Sequence, residues 1–330
     1  MNQTSTIRSI MFTIVAMGIV FSVSGLIMGQ MIPAADATHP KHGDNNDDNE
    51  HNGNNPAATQ NLGASPVGGS SSSSSSDGDV GVGSGSGITS FGTDVATAQQ
   101  LATAQEASTN AACGQVVSGV VNLTANLNCS GGDGIVVGGP NTVINMNGFS
   151  ITGPGQDSSK VGIMVPNVDN VVVNGPGSIS NFQAGVLLTG ATGFTINSVI
   201  LSNNQIGTFM TGAENAQVQQ NIIQGNSIGV ASHSSTGAAI DSNLMNGNLL
   251  AGITFVNSQQ SNIGMNNVVG SQNGVFLDGQ SKENTISANN VLENVIDLNN
   301  ANGLPTNINA NQYVDNSCDT SNPSGLCIGR

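Results

Sequence analysis

Aromatic and charged side chains are scarce in this sequence of 330 residues. Trp is absent, Tyr occurs once, and Asp, Glu, Lys and Arg together make up 8% of the residues. Without Trp, a sugar-binding platform of stacked aromatic rings would have to rely on Phe. Five Lys and Arg against twenty Asp and Glu give a net charge of −15. This charge disfavours nucleic acids as partners and, in the absence of calcium, anionic polymers as well.

One short pattern is repeated through the middle of the chain. A Gly followed by apolar residues recurs from Gly162 onward in steps of 23, 22, 22, 23 and 22 residues. A second column of Ile and Val and two further columns, mostly of Asn, keep the same period, so this is a repeat protein. The four columns are Gly134, Gly162, Gly185, Gly207, Gly229, Gly252 and Gly274; Ile196, Val218, Ile240, Ile263 and Ile286; Asn221, Asn243, Asn266 and Asn289; and Asn204, Asn226, Asn248, Ser271 and Asn294.

The spacing within each repeat is that of β-strands. Apolar residues alternate in pairs such as Ile163 and Val165 or Ile253 and Phe255, which is the period of a strand and not of a helix. Gly and Asn lie between the short runs, where sharp bends need unusual backbone angles. Three strands and three bends per repeat predict an all-β fold, a single-stranded parallel β-helix of about eight coils. The recurring Asn side chains are expected to stack inside it as a hydrogen-bonded ladder.

The N-terminus has the features of an export signal. Residues 10–32 carry no charge, Arg8 precedes them, and Ala34-Ala-Asp-Ala37 is a cleavage site of the small-x-small kind. This order is typical of a secretory signal, although the apolar run is also long enough to remain as a membrane anchor. Both alternatives predict an extracytoplasmic protein, secreted or anchored at the cell surface. Contact with a membrane is expected only through this segment, if it stays uncleaved.

Residues 38–92 have the composition of a flexible tether. A polar stretch rich in Asn, Asp and His is followed by seven consecutive serines and a Gly/Ser run. Apolar residues are too sparse there to offset the cost of ordering the chain. His39, His42 and His51, with neighbouring acids, could hold a divalent metal loosely. A solvated linker is the simpler interpretation, because nothing fixes a ligand geometry.

Residues 93–109 are the one stretch with helical character, and Thr93 or Asp94 could cap such a helix. The stack of coils has an open end with unpaired strand edges, and solenoids need terminal caps. We therefore predict that segment 93–133 caps the N-terminal end of the coil. The side of the helix that would pack carries Val95, Ala98, Leu101, Ala102 and Gln105.

Four cysteines flank the repeats, and an even number in an exported chain predicts disulfides. Three connectivities are open. Local pairing, Cys113 with Cys129 and Cys318 with Cys327, is favoured because a long rod holds its two ends apart. A metal site is disfavoured because no His lies near these cysteines.

These features divide the chain into five segments, of which the β-helix is the largest. The segments are 1–37, a signal peptide or membrane anchor; 38–92, the tether; 93–133, the N-terminal cap with the first disulfide; 134–315, the β-helix; and 316–330, a C-terminal tail or cap with the second disulfide.

Two stretches resemble a known family. The sequence from Cys113-Gly-Gln-Val to Val143-Ile-Asn-Met-Asn-Gly148 is similar to the opening of secreted right-handed parallel β-helix repeat proteins of prokaryotes. Asn284-Thr-Ile-Ser-Ala-Asn-Asn-Val resembles the repeat shared by NosD-like proteins and the pectate-lyase superfamily. The resemblance covers residues 113–315 and implies a right-handed coil. It implies no single activity, since this fold hosts lyases, hydrolases, epimerases and adhesins.

The groups that such enzymes need are missing from the repeats. A lyase of this fold uses an Arg or Lys base beside calcium-binding acids, yet the coils contain no Arg, and Lys160 and Lys282 are far apart in the repeat frame. A hydrolase needs paired carboxylates about 5–10 Å apart, and the one adjacent pair, Asp47-Asp48, lies in the tether. Copper-site maturation, which the NosD-like resemblance raises, would need clustered Met, His and Cys ligands that the repeats lack.

Four residues remain as weak catalytic candidates. Asp241, Asp278 and Asp297 could face a groove, and His233 is the one His within the repeats. The repeat frame places His233 and Asp278 in the same outward column but two strands apart. That separation is about 10 Å, which is beyond hydrogen-bonding reach. An ordinary turn or surface role is the simpler interpretation of each.

One outward column is apolar. The residue two positions after each recurring Gly should point away from the core, and the first four such residues are Val136, Met164, Leu187 and Phe209. Stacked apolar side chains on an outer face predict an interface. Its cover would be either the chain's own segment 93–112 or a partner or second copy.

The predicted function is that of an exported, non-catalytic β-helix of the cell surface or envelope. Its role would be structural or adhesive, with glycans or envelope proteins as partners and without a cofactor. The alternative is a polysaccharide lyase or glycoside hydrolase with an unfamiliar carboxylate site, for which calcium would be the expected cofactor. Carboxylates that converge in one groove would favour the alternative, and an even, uncharged outer face would favour the structural role.

Overall fold

The computed structural model of the protein describes residues 111–327, which form a parallel β-helix. Each coil contributes one strand to each of three parallel sheets, called sheets A, B and C. Sheet B has nine strands, so the β-helix predicted from the repeats is confirmed with nine coils where about eight were expected. The export signal, the tether and the helix-like stretch 93–109 lie outside the described residues.

The strands are numbered in chain order and are short, mostly of three residues in sheets B and C. Sheet A consists of β1 (Gln115–Val117), β4 (Ile135–Val137), β7 (Val161–Pro166), β10 (Ala184–Thr189), β13 (Ile206–Thr211), β16 (Ile228–His233), β19 (Ala251–Val256), β22 (Asn273–Leu277), β25 (Ile296–Asn300) and β27 (Ser321–Asn322). Sheet B consists of β2 (Val120–Asn122), β5 (Val143–Asn145), β8 (Val172–Asn174), β11 (Thr195–Asn197), β14 (Gln217–Gln219), β17 (Ala239–Asp241), β20 (Asn262–Gly264), β23 (Thr285–Ser287) and β26 (Gln312–Val314). Sheet C consists of β3 (Leu127–Asn128), β6 (Ser150–Thr152), β9 (Ser178–Ser180), β12 (Ile200–Ser202), β15 (Ile222–Gln224), β18 (Leu244–Asn246), β21 (Asn267–Val269) and β24 (Asn290–Leu292).

The core lies inside the coil and is built from in-register stacks of apolar side chains. Ile196 of β11 pairs with Val173 of β8 on one side and with Val218 of β14 on the other, and all three side chains are fully buried. The alternation read from the sequence is confirmed in sheet A, where Ile163 and Val165 are both buried in the core. Because the repeats have nearly the same length, like residues of successive coils lie above one another at the spacing of paired strands. Their stacked side chains fill the inside of the coil.

The recurring Gly lies where neighbouring coils approach most closely. A Cβ atom on Gly207 would lie 2.5 Å from the carbonyl oxygen of Gly229, and one on Gly185 would lie 2.6 Å from that of Gly207. Since such contacts are too short for a carbon atom, space rather than backbone angle requires Gly in this column. Gly114 lies one coil earlier, and its N–H donates to the carbonyl oxygen of Gly134 over 2.6 Å. At Gly114 the reason for Gly is the backbone angle instead, because its φ is 75° and nothing lies within 4 Å of an added Cβ.

The corners after the last five strands of sheet B, from β14 to β26, contain the predicted ladder of buried Asn side chains. Each Nδ2 donates to Oδ1 of the next Asn, over 3.1 Å from Asn221 to Asn243 and 3.0 Å from Asn243 to Asn266. The ladder continues to Asn289 and ends at Asn316. The same Oδ1 atoms also accept backbone N–H groups, as Asn266 does from Asn243. These buried amides are therefore satisfied, as buried polar groups must be.

The regular coil begins and ends beyond the predicted limits. The segment expected to cap the N-terminal end contains β1, β2 and β3, so the coil starts before Gly134. The C-terminal tail adds β27, which pairs with β25. The predicted disulfides, Cys113–Cys129 and Cys318–Cys327, are present at the two ends. Residues 111–327 include no helix of a length and apolarity suited to crossing a membrane.

Candidate functional site

Asp297 is a buried anchor for the C-terminal end of the chain. Its Oδ1 accepts hydrogen bonds from the backbone N–H and from Nδ2 of Asn294, at 3.1 and 3.0 Å. Its Oδ2 accepts from the N–H groups of Asp319 and Thr320, both at 2.9 Å, and from Oγ1 of Thr320 at 3.0 Å. Burial alone raises the pKa of this carboxyl, but these hydrogen bonds outweigh it and bring the pKa below its ordinary value. Oδ1 therefore fixes the carboxylate to its own coil through Asn294, and Oδ2 holds the segment that leads into β27.

Asp278 organises the turn that follows β22. Its Oδ1 accepts the N–H of Ser281 at 2.8 Å and the Ser281 hydroxyl at 2.7 Å. The same atom accepts the N–H of Asn257 from the preceding coil at 3.1 Å. This is the use of Asp that is typical of turns, in which the side chain bonds to nearby backbone. The carboxylate joins two coils.

His233 and Asp241 lie on different sheets. His233 ends β16, where it pairs with Thr211 and Val256, and it is half-buried. Asp278 comes one strand after Val256 in the same outward column, which keeps it about 10 Å from His233 by strand spacing. Asp241 ends β17 in sheet B, and its Oδ2 accepts the hydroxyl of Ser242 at 2.9 Å. The four catalytic candidates are thus spread over three parts of the coil.

The four interface candidates stand in one column on the outer face of sheet A. Val136 pairs with Met164, Met164 with Leu187, and Leu187 with Phe209. Each is nevertheless buried, with 2–8% of its surface exposed. They form an apolar cluster separate from the core inside the coil.

A second amide ladder runs along the outside of sheet B. Nδ2 of Asn145 donates to Oδ1 of Asn122 at 2.8 Å, that of Asn174 to Asn145 at 3.0 Å, and that of Asn197 to Asn174 at 2.9 Å. These side chains are half-buried, and the column continues through Gln219. The sequence signal was an Asn closing four successive strands of sheet B. Sequence reasoning missed it because it followed the inner columns and, on the outside, the column of sheet A only.

Sheet C carries an exposed apolar stripe. Ile200 pairs with Ile222 and Ile222 with Leu244, and the three are 38–44% exposed. At the corner between sheets C and A, Leu249, Leu250 and other side chains border an open groove of about 880 Å³. The groove lies beside Ser271, Gln272, Glu293 and Val295.

Metal-ligating side chains do not gather in the described part of the chain. Residues 111–327 contain no group of three His, Cys, Asp or Glu side chains placed to hold a metal ion. The cysteines all form disulfides. Met146, Met210 and Met245 lie fully buried in the core.

The sequence matches a family model over most of the coil. The model of the family described as "Periplasmic copper-binding protein (NosD)" matches residues 126–325, more than half of the chain. The chain belongs to the NosD family. No curated protein matches it. Family membership and the two disulfides agree with an extracytoplasmic location.

Several solved structures are similar to this NosD-family chain. A structure of DFA-IIIase from Arthrobacter chlorophenolicus A6 in complex with GF2 is 13% identical, with a TM-score of 0.41, over 68% of this chain and 74% of that chain. The Dettilon tailspike protein is also 13% identical, with a TM-score of 0.43, over 64% of this chain and 53% of that one. The A-module of mannuronan C-5 epimerase from Azotobacter vinelandii is 14% identical, with a TM-score of 0.28, over 68% and 84% of the two chains. Similarities at this level carry no substrate or activity over to this chain.

The donor atoms of the described residues do not fit the copper named in the family description. Copper is held in proteins by thiolate, thioether and imidazole ligands grouped at one point. In residues 111–327 the cysteine sulfurs are engaged in disulfides, the core methionines face apolar neighbours, and His233 has no second imidazole beside it. His39, His42 and His51 lie outside the described residues.

Proposed function

We propose that this NosD-family chain is a non-catalytic extracytoplasmic β-helix that binds neutral glycans along the outside of sheet B. The observation that carries the proposal is the outer amide ladder from Asn122 to Asn197, in which hydrogen bonds of 2.8–3.0 Å join successive amides. It is a continuous polar and uncharged stripe on a rigid face. A rigid face suits recognition because little ordering is needed on binding.

The ladder leaves hydrogen-bonding capacity directed outward. An Asn amide has two N–H donors and two acceptor lone pairs. The bond to each neighbour uses one donor and one acceptor of Asn145 and of Asn174. One donor and one acceptor remain on each, which matches a sugar hydroxyl that both donates and accepts. The amides repeat about every 4.8 Å along the rod, so an extended oligosaccharide could bond to several of them at once.

The net charge of −15 selects among glycans. An acidic protein repels uronate polymers unless calcium lies between them. Neutral glycans meet no such repulsion, and the ladder itself presents no charge. The expected ligand class is therefore a neutral polysaccharide.

The arrangement of the carboxylates supports a non-catalytic role. Hydrolysis by a carboxylate pair needs one acid and one base facing each other across the bond that is cut. Both oxygens of Asp297 and Oδ1 of Asp278 are engaged in bonds that hold turns and coils together. Asp241 lies on another sheet. Their roles in the fold account for these residues without a reaction.

The test is retention and product release with the full exported chain on a panel of neutral and acidic polysaccharides, with calcium and with chelator. We expect at least one neutral polysaccharide to be retained and none to be shortened. The double variant Asn145→Ala/Asn174→Ala should weaken retention by about tenfold or more, since each bond to a ligand is worth about 1 kcal/mol and the ladder is interrupted.

A matched control comes from sheet C. Asn290 donates from Nδ2 to Oδ1 of Asn267 at 3.0 Å on its outer face, so Asn267→Ala/Asn290→Ala removes two stacked outer amides of the same kind elsewhere. This variant should retain the polysaccharide normally. Equal loss in both variants would argue against a site on sheet B. Shortened product that disappears in Asp241→Asn or Asp278→Asn would establish the enzymatic alternative instead.

A further inference from the structure

The outer face of sheet A is buried although it points away from the coil. Besides the column from Val136 to Phe209, its next members Ala231, Thr254 and Phe276 are only 1–4% exposed. A parallel column on the same face is also buried, with 0–8% exposure, and consists of Val161, Ala184, Ile206, Ile228 and Ala251. A bare sheet face does not hide Leu, Met and Phe side chains to this degree, so the face is covered.

The described residues contribute little to that cover. Among residues 111–327, Leu250 is the further hydrophobic side chain that packs against this outer cluster, and it lies beside Ala251 at one end. At the opposite end, Val116 of the edge strand β1 is 66% exposed. The covered strip therefore begins at β4 and continues across the sheet.

We propose that segment 93–110 of the same chain packs lengthwise on this outer face of sheet A. The segment leads directly into Ala111, and Cys113, two residues later, is fixed to Cys129 by a disulfide. Gly114 is bonded to Gly134 at the start of the sheet. The chain therefore enters the coil at the end of the very sheet whose face is covered. No long linker is needed for it to reach that face.

The length of segment 93–110 as a helix agrees with the extent of the apolar face. The apolar part of the face extends from β4 to β19, which is six strands of sheet A. Six strands span about 24 Å at a spacing of about 4.8 Å. The eighteen residues of segment 93–110 would span about 27 Å as an α-helix. Beyond β19 the face becomes more polar: Phe276 of β22 is still apolar, but Asn273 of the same strand is bonded to Asn299 of β25.

The side chains are also complementary. The apolar side of the segment is made mainly of small residues, Val95, Ala98, Leu101 and Ala102. The face offers small residues as well, at Ala184, Ala231 and Ala251, between the larger Leu187 and Phe209. Small residues on both surfaces allow a helix to lie close to a sheet, as close packing requires.

The methionines of the chain provide the test. Met164 lies in the covered face, Met265 is 60% exposed, and Met210 is fully buried inside the coil. Hydrogen peroxide oxidises an accessible Met thioether to the sulfoxide, and the reaction can be followed at each Met by mass spectrometry of peptides. In the full chain Met164 should react about tenfold or more slowly than Met265.

The full chain is then compared with one that lacks residues 93–110. Met164 should become oxidised about tenfold faster in the deletion variant, approaching Met265. Met210 should remain protected, which shows that the coil is still folded. A point variant, Leu101→Asp, should have the same effect in part. Its control, Gln100→Asp, places the charge on the opposite side of the helix and should leave Met164 protected.

Three results would overturn the proposal. Rapid oxidation of Met164 in the full chain would mean that the face is bare. Continued protection after the deletion would assign the cover to another part of the chain. Protection that disappears on dilution, together with a dimer in sedimentation, would assign it to a second copy. The sheet B proposal is unaffected by these outcomes, since its ladder lies on another face.

Discussion

The side chain of Asn243 donates a hydrogen bond of 3.0 Å to Oδ1 of Asn266 in the next coil. Its second Nδ2 proton is donated to the carbonyl oxygen of Val218 at 2.8 Å. The Oδ1 of Asn243 in turn accepts the backbone N–H of Asn221 at 3.0 Å and its Nδ2 at 3.1 Å. One side chain thus serves two donors and two acceptors of a sharp corner. An Asp side chain lacks the N–H donors, and a hydrophobic side chain lacks donors and acceptors alike. This explains why Asn recurs at the corner.

Replacing an inner Asn should destabilise the coil strongly. Asn266→Ala removes the acceptor for two donors of Asn243 and leaves the carbonyl oxygen of Ile240 without its partner. Unsatisfied buried groups cost about 1–3 kcal/mol each, so a loss of about 3 kcal/mol or more in the free energy of unfolding is expected. Urea unfolding followed by circular dichroism measures it. The neighbouring Asn267 is exposed, and Asn267→Ala should change stability by less than about 0.5 kcal/mol.

The Gly column should not tolerate even Ala. In Gly207→Ala the new methyl group would lie 2.5 Å from the carbonyl oxygen of Gly229. Because that atom belongs to the backbone of the next coil, the coils must separate, and a cost of about 1–3 kcal/mol is expected. Thermal unfolding gives the comparison with Gly131→Ala, where nothing lies within 4 Å of the new atom. Equal melting temperatures for the two variants would contradict the explanation from close approach.

Asp297 should make stability depend on pH in acid. Its pKa lies below the ordinary value of 3.8 because hydrogen bonds from Asn294, Thr320 and Asp319 outweigh the effect of burial. A carboxyl with a lowered pKa stabilises the fold above its ordinary pKa, and this contribution is lost as pH falls below about 4. Asp297→Asn should cost about 2–4 kcal/mol at pH 7. The difference in the free energy of unfolding between the native protein and Asp297→Asn should become smaller below about pH 4.

Urea unfolding at several pH values checks this expectation. Asp241→Asn is the control, since Asp241 is half-buried and accepts one side-chain hydrogen bond from Ser242. It should change stability by less than about 0.5 kcal/mol. If the difference in the free energy of unfolding between the native protein and Asp297→Asn stays constant down to pH 2, the charge of Asp297 does not have this role.

Loss of the C-terminal disulfide should have a local effect. Cys318 and Cys327 are 9 residues apart, and opening so short a loop should cost about 2–3 kcal/mol. In Cys318→Ser/Cys327→Ser, we expect faster hydrogen exchange at the amides of Asp319 and Thr320, which donate to Asp297. The amide of Asn243, in the middle of the rod, should be unaffected, because coils contact their neighbours only. Faster exchange throughout the rod would show instead that it unfolds as one unit.

The period of the coil could be predicted because the same residue type occupies the same structural position in successive coils. Each Gly of the column occupies the same close approach, and each inner Asn the same corner, so the columns were visible without any structure. The first coil was missed because the period is irregular at the start of the coil: Gly114 lies 20 residues before Gly134, and Gly134 lies 28 residues before Gly162 because of the longer loop between β6 and β7. Gly114, followed by Gln115 and two valines, was too weak a signal alone.

The candidate residues were harder to assign than the coil. Sequence spacing indicated the outward column of Val136 and Met164, whose side chains are buried in the structure, but it left open whether the chain itself or a partner covers them. The role of Asp297 depends on β27 returning to β25, a contact set by the C-terminal turn and not by the repeat. Asp278 likewise bonds to Ser281 through a turn geometry that no periodicity encodes.

The nearly equal length of the coils from Gly162 onward, 22 or 23 residues, has a consequence for how such a protein can change its size. Removal of residues 207–228, one step of the Gly column, would join Ile206 to Gly229 and bring Asn204 next to Asn248 in the ladder. Every sheet would lose one strand and keep its register, and the rod would shorten by about 4.8 Å. Copying the same unit would lengthen it by as much. A gene of this kind can therefore adjust the reach of its product by in-frame gain or loss of single repeats, while insertions of any other length are confined to the turns.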